Sequence, residues 1–184
     1  MKTLNSLFVA CLFLTLVSAL ATQPRDVGQN SFCDDPDNAI PLYRGFSPSG
    51  SDHFYTTDAV EMETAISNGY TFEGDASDVF GSLPPLTVTV PFFRMFSSNI
   101  VDHFYTTSAS ERDNAVDNLG YTDEGIAAYV YSSNICSSIP LYRMYSGGAT
   151  DHFYTTSAPE RDNAVNNLGY TYEGVAAYVL NAPA

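Results

Sequence analysis

The six-residue string Asp-His-Phe-Tyr-Thr-Thr occurs three times, at residues 52–57, 102–107 and 151–156, so the copies stand 50 and 49 residues apart. Two further markers keep step with it. Pro41-Leu42-Tyr43-Arg44, Pro91-Phe92-Phe93-Arg94 and Pro140-Leu141-Tyr142-Arg143 precede the string. A Gly-Tyr pair with a downstream Glu-Gly follows it, as Gly69-Tyr70 with Glu73-Gly74, Gly120-Tyr121 with Glu124-Gly125, and Gly169-Tyr170 with Glu173-Gly174. A fixed period of this length marks a chain built from one supersecondary unit in series, each copy burying its apolar face against the next. Residues 102–130 and 151–179 differ only at Ser110/Pro159, Asp117/Asn166, Asp123/Tyr172 and Ile126/Val175. The first copy diverges more, with Met62 in place of Arg and Asp75-Ala76-Ser77-Asp78-Val79-Phe80 in place of the Ala-Ala-Tyr-Val ending. A terminal copy that also acts as a cap is expected to diverge in this way.

Local signals give the contents of the unit. Leu141-Tyr142-Arg143-Met144-Tyr145 and His152-Phe153-Tyr154-Thr155-Thr156 are short, aromatic and β-branched, and Ser146-Gly147-Gly148-Ala149-Thr150 between them reads as a hairpin tip. Ser157 with Glu160, Ser108 with Glu111 and Asp58 with Glu61 form capping-box patterns, in which the cap oxygen takes an N3 amide and the glutamate reaches back. A helix is predicted to start there, to run through residues 161–168 in the third copy, and to stop at Gly169 in the left-handed C′ position. Residues 170–180 read as a third strand with Gly174 as a bulge or close-contact point. The predicted fold class is β-rich α+β, a single domain at 39–181 of three strand-strand-helix-strand repeats (39–88, 89–137 and 138–181). Closure into a pseudo-threefold, propeller-like or barrel-like assembly is favoured, because an open stack exposes two sheet edges that need covering.

Ahead of the repeats, Lys2 is followed by an apolar run from Leu7 to Val17 and by the small-x-small pattern Ala19-Leu20-Ala21. This pattern predicts a signal peptide at 1–21 and an N-terminal arm at 22–38; the run is shorter than the ~20 apolar residues of a membrane span. The expectation is a secreted, extracellular protein with no membrane span after signal removal. The chain has 7 Lys plus Arg against 21 Asp plus Glu, and its only lysine lies in the signal, so the mature part keeps six Arg and a charge of −15. That balance excludes a nucleic-acid binder, which needs a basic footprint to displace counterions. Cys11 leaves with the signal, and Cys33 and Cys136 are then most simply one disulfide, tying the arm to the last unit.

The repeated string, preceded by Pro-Leu-Tyr-Arg-Met-Tyr and followed by Glu-Arg-Asp-Asn-Ala-Val and Gly-Tyr-x-x-Glu-Gly-x-Ala-Ala-Tyr-Val, resembles a family of secreted repeat domains of unknown function. The resemblance covers residues from about 39 to 180. Such domains occur in fungi and bacteria, alone or appended to secreted hydrolases, which implies an accessory binding role and brings no catalytic residues. Met62 departs from the pattern, so a site needing an arginine there is missing from the first copy.

His53, His103 and His152 are the whole histidine inventory. One reading makes each a framework residue hydrogen-bonded within its own unit. A second, with all three meeting on an axis, would give a zinc site with an open fourth position, but nothing in the sequence places them there, and no metal or cofactor is expected. A third follows from strand alternation, which puts His and Tyr on the face opposite Phe. With Phe54, Phe104 and Phe153 inward, His53, Tyr55, His103, Tyr105, His152 and Tyr154 face outward, and with Asp52, Asp102 and Asp151 as further polar groups they are the candidate ligand contacts. A sugar's C–H face would stack on tyrosine while its hydroxyls bond to the polar groups. Arg44, Arg94 and Arg143 are read as structural ion pairs, either with the Asp of the neighbouring strand or with Glu73, Glu124 and Glu173.

The acids recur identically in every unit, whereas glycoside hydrolysis needs two carboxylates in unlike environments facing one another. The chain also has no Gly-x-Ser-x-Gly, His-Glu-x-x-His, phosphate loop or Cys-x-x-Cys. The functional expectation is non-enzymatic: a lectin-like module whose repeated weak sites take extracellular or cell-wall glycans and gain strength by multivalency. A structural or interaction protein of the extracellular matrix or cell wall is the alternative, and a hydrolase with one asymmetric site a second.

Overall fold

A computed structural model of the chain describes residues 32–82 and 88–181. The expected signal peptide and the first part of the arm lie outside the described residues. Along the chain, β1 (Ile40–Ser47), β2 (Asp52–Thr56), α1 (Ala59–Ser67) and β3 (Thr71–Val79) come first. The same order follows as β4 (Thr89–Ser97), β5 (Asp102–Thr106), α2 (Ala109–Asn118) and β6 (Thr122–Tyr131). It recurs once more as β7 (Ile139–Ser146), β8 (Asp151–Thr155), α3 (Ala158–Asn167) and β9 (Thr171–Val179). The body is β-rich, with strands in two sheets of order β2-β1-β3 and β5-β4-β6-β9-β7-β8, one of them curled into a half-barrel.

Within each unit the first strand is central and antiparallel to the other two. Its pairing with the third strand slips twice. Leu42 faces Ser77 and Tyr43 faces Asp75, which leaves Ala76 extra; Arg44 faces Gly74 and Gly45 faces Phe72, which leaves Glu73 extra. The same slips leave Ala127 and Glu124 extra in β6, and Ala176 and Glu173 in β9. Gly74, Gly125 and Gly174 have φ of 101°, 90° and 113°, a region that a Cβ disfavours, so the Glu-Gly step is what permits the second bulge. Gly174 thus forms the bulge its sequence suggests, and the adjoining Ala bulge is an addition.

The helices begin where expected. Asp58, Ser108 and Ser157 accept hydrogen bonds from the main-chain N–H of Glu61, Glu111 and Glu160. The returning half of the capping box does not form. Each cap N–H instead donates to a threonine, Thr56, Thr106 or Thr155, at 3.0 Å. The three glutamate carboxylates accept from those same threonine hydroxyls and from an arginine of the next unit, which outcompete the cap amide. Gly69, Gly120 and Gly169 take the left-handed conformation just past the helix ends.

The third strands touch at equivalent places across the units: Tyr131 faces Tyr178, Leu180 faces Asp78, and Phe80 faces Tyr129. Beneath them one core draws on all three units, with Leu42, Phe92 and Leu141 packed against Val79, Val130 and Val179. A disulfide between Cys33 and Cys136 joins the chain ahead of β1 to the connection between β6 and β7. Among the described residues no helix is long and apolar enough to cross a membrane.

Candidate functional site

Every residue of the repeated string except its first threonine reaches into another unit. The tyrosines form a ring of hydrogen bonds at the centre. Tyr55 N–H donates to the Tyr105 hydroxyl, Tyr105 N–H to the Tyr154 hydroxyl, and Tyr154 N–H to the Tyr55 hydroxyl, at 2.8 to 2.9 Å. The hydroxyls of Tyr55, Tyr105 and Tyr154 donate, respectively, to the main-chain carbonyls of Tyr154, Tyr55 and Tyr105 at 2.7 to 2.8 Å. The rings meet edge to face at 5.5 Å. The last threonines hold the Ala bulges, with Thr57, Thr107 and Thr156 hydroxyls donating to the carbonyls of Ala127, Ala176 and Ala76.

Asp and His are likewise shared between neighbours. Asp52 accepts from the N–H and Nδ1 of His103, Asp102 from those of His152, and Asp151 from those of His53, at 2.6 to 2.8 Å. Tyr70, Tyr121 and Tyr170 donate a further hydrogen bond to each carboxylate from within its own unit. Burial pushes the Asp52 carboxyl up, but the bonds from His103 and Tyr70 outweigh it and hold Asp52 below the usual range. Oxygens of the three carboxylates lie within 4.8 Å of one another and the residues are 0% exposed. Each carboxylate already accepts three hydrogen bonds from the protein, so the cluster is a packed structural element rather than a vacant set of ligands.

These positions correct three expectations. The histidines bond across units rather than within their own. Both faces of β2, β5 and β8 are covered, since Tyr55, Tyr105 and Tyr154 are at most 1% exposed and Phe54, Phe104 and Phe153 at most 8%. A sugar therefore cannot stack on these tyrosines, and the Asp and Tyr members of the expected surface are inside the core. Alternation misleads here because the second strand is packed between its own helix and the neighbouring units. The arginines, finally, do not pair with the Asp of the adjacent strand, which is occupied by His and Tyr.

What does face solvent is an arginine–glutamate cluster at each unit boundary. Arg44 donates through both terminal nitrogens to Glu160 of the third unit at 3.0 Å. Its Nε lies 2.9 Å from Glu73 Oε2, off the N–H axis, so that contact is Coulombic rather than an aligned hydrogen bond. Arg94 is held the same way by Glu61 and Glu124, and Arg143 by Glu111 and Glu173. Burial works against the charge on Arg44, but Tyr55 and the two glutamates outweigh it and hold the guanidinium above its ordinary range. Each guanidinium also lies over a phenylalanine of the preceding unit, Phe153, Phe54 or Phe104, at 5.2 to 5.4 Å.

The bulged Glu73, Glu124 and Glu173 pair as the sequence suggested. The helix glutamates Glu61, Glu111 and Glu160 carry only a capping-box signal in the sequence, and in the fold they also bind the arginines of the next unit. Around the first cluster a shallow cleft of about 190 Å³ opens between the third and first units, lined by His53, Phe153, Asn163 and Leu168 beside the ion pairs. Around the third, a polar cleft of about 240 Å³ is lined by Thr107, Ser108 and Val175 with Glu111, Arg143 and Glu173.

Comparison with curated proteins finds no match, and comparison with solved structures finds none. The family model described as "Domain of unknown function (DUF5648)" matches residues 41–180, the span that holds the tyrosine ring, the Asp–His pairs and the boundary clefts, and the chain belongs to that family.

Proposed function

We propose that this chain is a secreted, non-catalytic binding module that takes extracellular or cell-wall carbohydrate at the clefts between its units. In this reading the signal peptide at 1–21 is removed, and residues 39–181 form one closed pseudo-threefold body after the arm at 22–38. Closure is supported by the hydrogen-bond cycles, in which each unit gives to one neighbour and receives from the other. The observation that carries the binding role is the boundary cluster of Arg44, Glu73 and Glu160 beside His53 and Asn163. Its glutamate side chains are 30% and 37% exposed, and it opens on a cleft with an apolar edge at Leu168. Partly exposed carboxylates and an amide suit sugar hydroxyls, and an aliphatic edge suits a C–H face. Recurrence of the same cluster at Arg94 and Arg143 suits weak sites summed by multivalency.

A broad glycan array tests this with mature protein, residues 22–184, and with a Glu73→Gln, Glu124→Gln, Glu173→Gln triple variant. Binding that disappears in the still-folded variant supports the proposal. No binding by the native chain at high micromolar concentration overturns it. One observation favours a second reading, a structural or interaction protein of the matrix or cell wall: the string that recurs most faithfully is consumed by contacts between units, as a purely architectural repeat requires.

A further inference from the structure

The three units differ on the outward side of their central strands. In the third, Tyr142 and Tyr172 meet edge to face, centroids 6.1 Å apart at 64°. The Arg161 guanidinium lies over both rings, 4.4 Å and 5.5 Å from the centroids, and is held by Asp162. In the second, Arg112 lies 4.5 Å over Phe93 and pairs with Asp113. In the first, Tyr43 and Phe72 form the same notch, 6.1 Å apart at 60°, and Glu63 stands where Asp113 and Asp162 stand in the other units. Among the described residues no cation completes it.

Met62 occupies the position of Arg112 and Arg161, and it turns inward. Gly45, standing where the other units have Met95 and Met144, leaves the space: a Cβ on Gly45 would meet Met62 Sδ at 3.2 Å. Met62 is accordingly buried, while Phe72 is 47% exposed. Among the described residues no arginine lies over Tyr43 or Phe72, and no cation pairs with Glu63.

We propose that the Tyr43–Phe72 notch, with Glu63, is a docking site for an arginine side chain of a basic partner protein. The internal arginines show that a guanidinium fits such a notch and that the neighbouring carboxylate completes it. A planar guanidinium stacks on the ring face and still directs its N–H groups to the carboxylate, which a compact ammonium cannot do equally well. A chain charge of −14 draws basic partners toward the surface. The notch uses none of the boundary arginines or their glutamates, so it is independent of carbohydrate binding.

The test is a fluorescence anisotropy titration of residues 22–184 with two labelled peptides of equal charge and spacing, one with arginines and one with lysines. The arginine peptide is expected to bind roughly two- to fivefold more tightly, the range of an exposed cation–π contact. Phe72→Ala, at an exposed position, removes that preference. Gly45→Met with Met62→Arg builds the arrangement of the other units into the first and also removes it. Should that double variant fail to fold, Phe72→Ala and Glu63→Gln carry the test. Equal affinity for both peptides overturns the proposal, as does a preference that Phe72→Ala leaves untouched. A preference that appears only after Arg25→Ala overturns it too, because the notch would then belong to the chain's own Arg25.

Discussion

The hydroxyl of Tyr55 serves both main-chain groups of Tyr154, accepting from its N–H at 2.9 Å and donating to its carbonyl at 2.7 Å. Tyr55→Phe keeps the ring and removes the oxygen, leaving a donor and an acceptor unpaired in the core. At roughly 1–3 kcal/mol per buried unsatisfied group, the loss is about 2–6 kcal/mol. The melting temperature should fall by roughly 5–15 °C for a domain of this size. Tyr105→Phe and Tyr154→Phe should cost about the same, since each hydroxyl serves the next tyrosine in the same manner. Calorimetry of the three variants checks this, and three unequal losses would show that the ring does not share its load evenly.

Acid should weaken the fold through carboxylates held below their ordinary range. For Asp52, Glu61 and Glu160 burial acts upward, but hydrogen bonds from His103 and Tyr70, from Arg94 and Thr56, and from Arg44 and Thr155 outweigh it. For Glu111 the bond from Arg143 is the largest influence and acts downward. Between its folded and unfolded values each such group binds fewer protons when folded. Its contribution is therefore full above the unfolded carboxylate range of about 4 and is lost as pH falls through the folded value. Asp78, raised by burial and by Asp75, works in the opposite sense as a single group. The urea midpoint is expected to drop between about pH 5 and pH 2, and less steeply in Glu61→Gln than in the native chain. A midpoint that rises over that interval would contradict the assignment.

Much of the unit is legible because its signals are local. Ser108 announces a helix start and Gly120 its end within a dozen residues, and Gly125 marks a bulge by its need for positive φ. The site is legible only in part. Arg143 finds Glu173 within its own unit, but also Glu111, 32 residues back in the preceding one, and Arg44 finds Glu160, 116 residues away. Sequence period reports that units are alike, and not which neighbour a side chain faces. One signal was available: Glu61, Glu111 and Glu160 recur with Arg44, Arg94 and Arg143 in every copy, and three matched charges of each sign imply a common partnership. Alternation failed at Tyr55 because it assigns one face to solvent, whereas this strand has protein on both.

Reduction should destabilise the native protein. The Cys33–Cys136 bridge spans 103 residues of sequence, and the chain-entropy model assigns a loop of that length about 4–5 kcal/mol, an upper value for the loss. Guanidinium unfolding with and without reductant measures it. A loss under about 1 kcal/mol would mean that the shared core already restrains the arm's attachment point.

The Gly45 and Met62 pair predicts strong non-additivity. Gly45→Met alone forces a second thioether into the space Met62 fills, with an overpacking cost of about 1–3 kcal/mol. Gly45→Met combined with Met62→Arg recreates the pairing of Met95 with Arg112 and should recover most of that loss. A double-mutant cycle on chemical denaturation reads the coupling directly, and additive single effects would show that the two sites are independent.

The cyclic exchange of contacts bears on how such a chain arises and assembles. A single unit cut free would carry an Asp without its His, a Tyr hydroxyl without its main-chain partners and an Arg without its helix glutamate. Each of these groups finds its partner only in a neighbouring unit, so the unit is complete only in the company of the other two. Carrying the three copies in one chain makes that exchange of contacts intramolecular and independent of protein concentration. It also lets one copy differ alone, as the first does with Gly45 and Met62 where the others carry a methionine and an arginine.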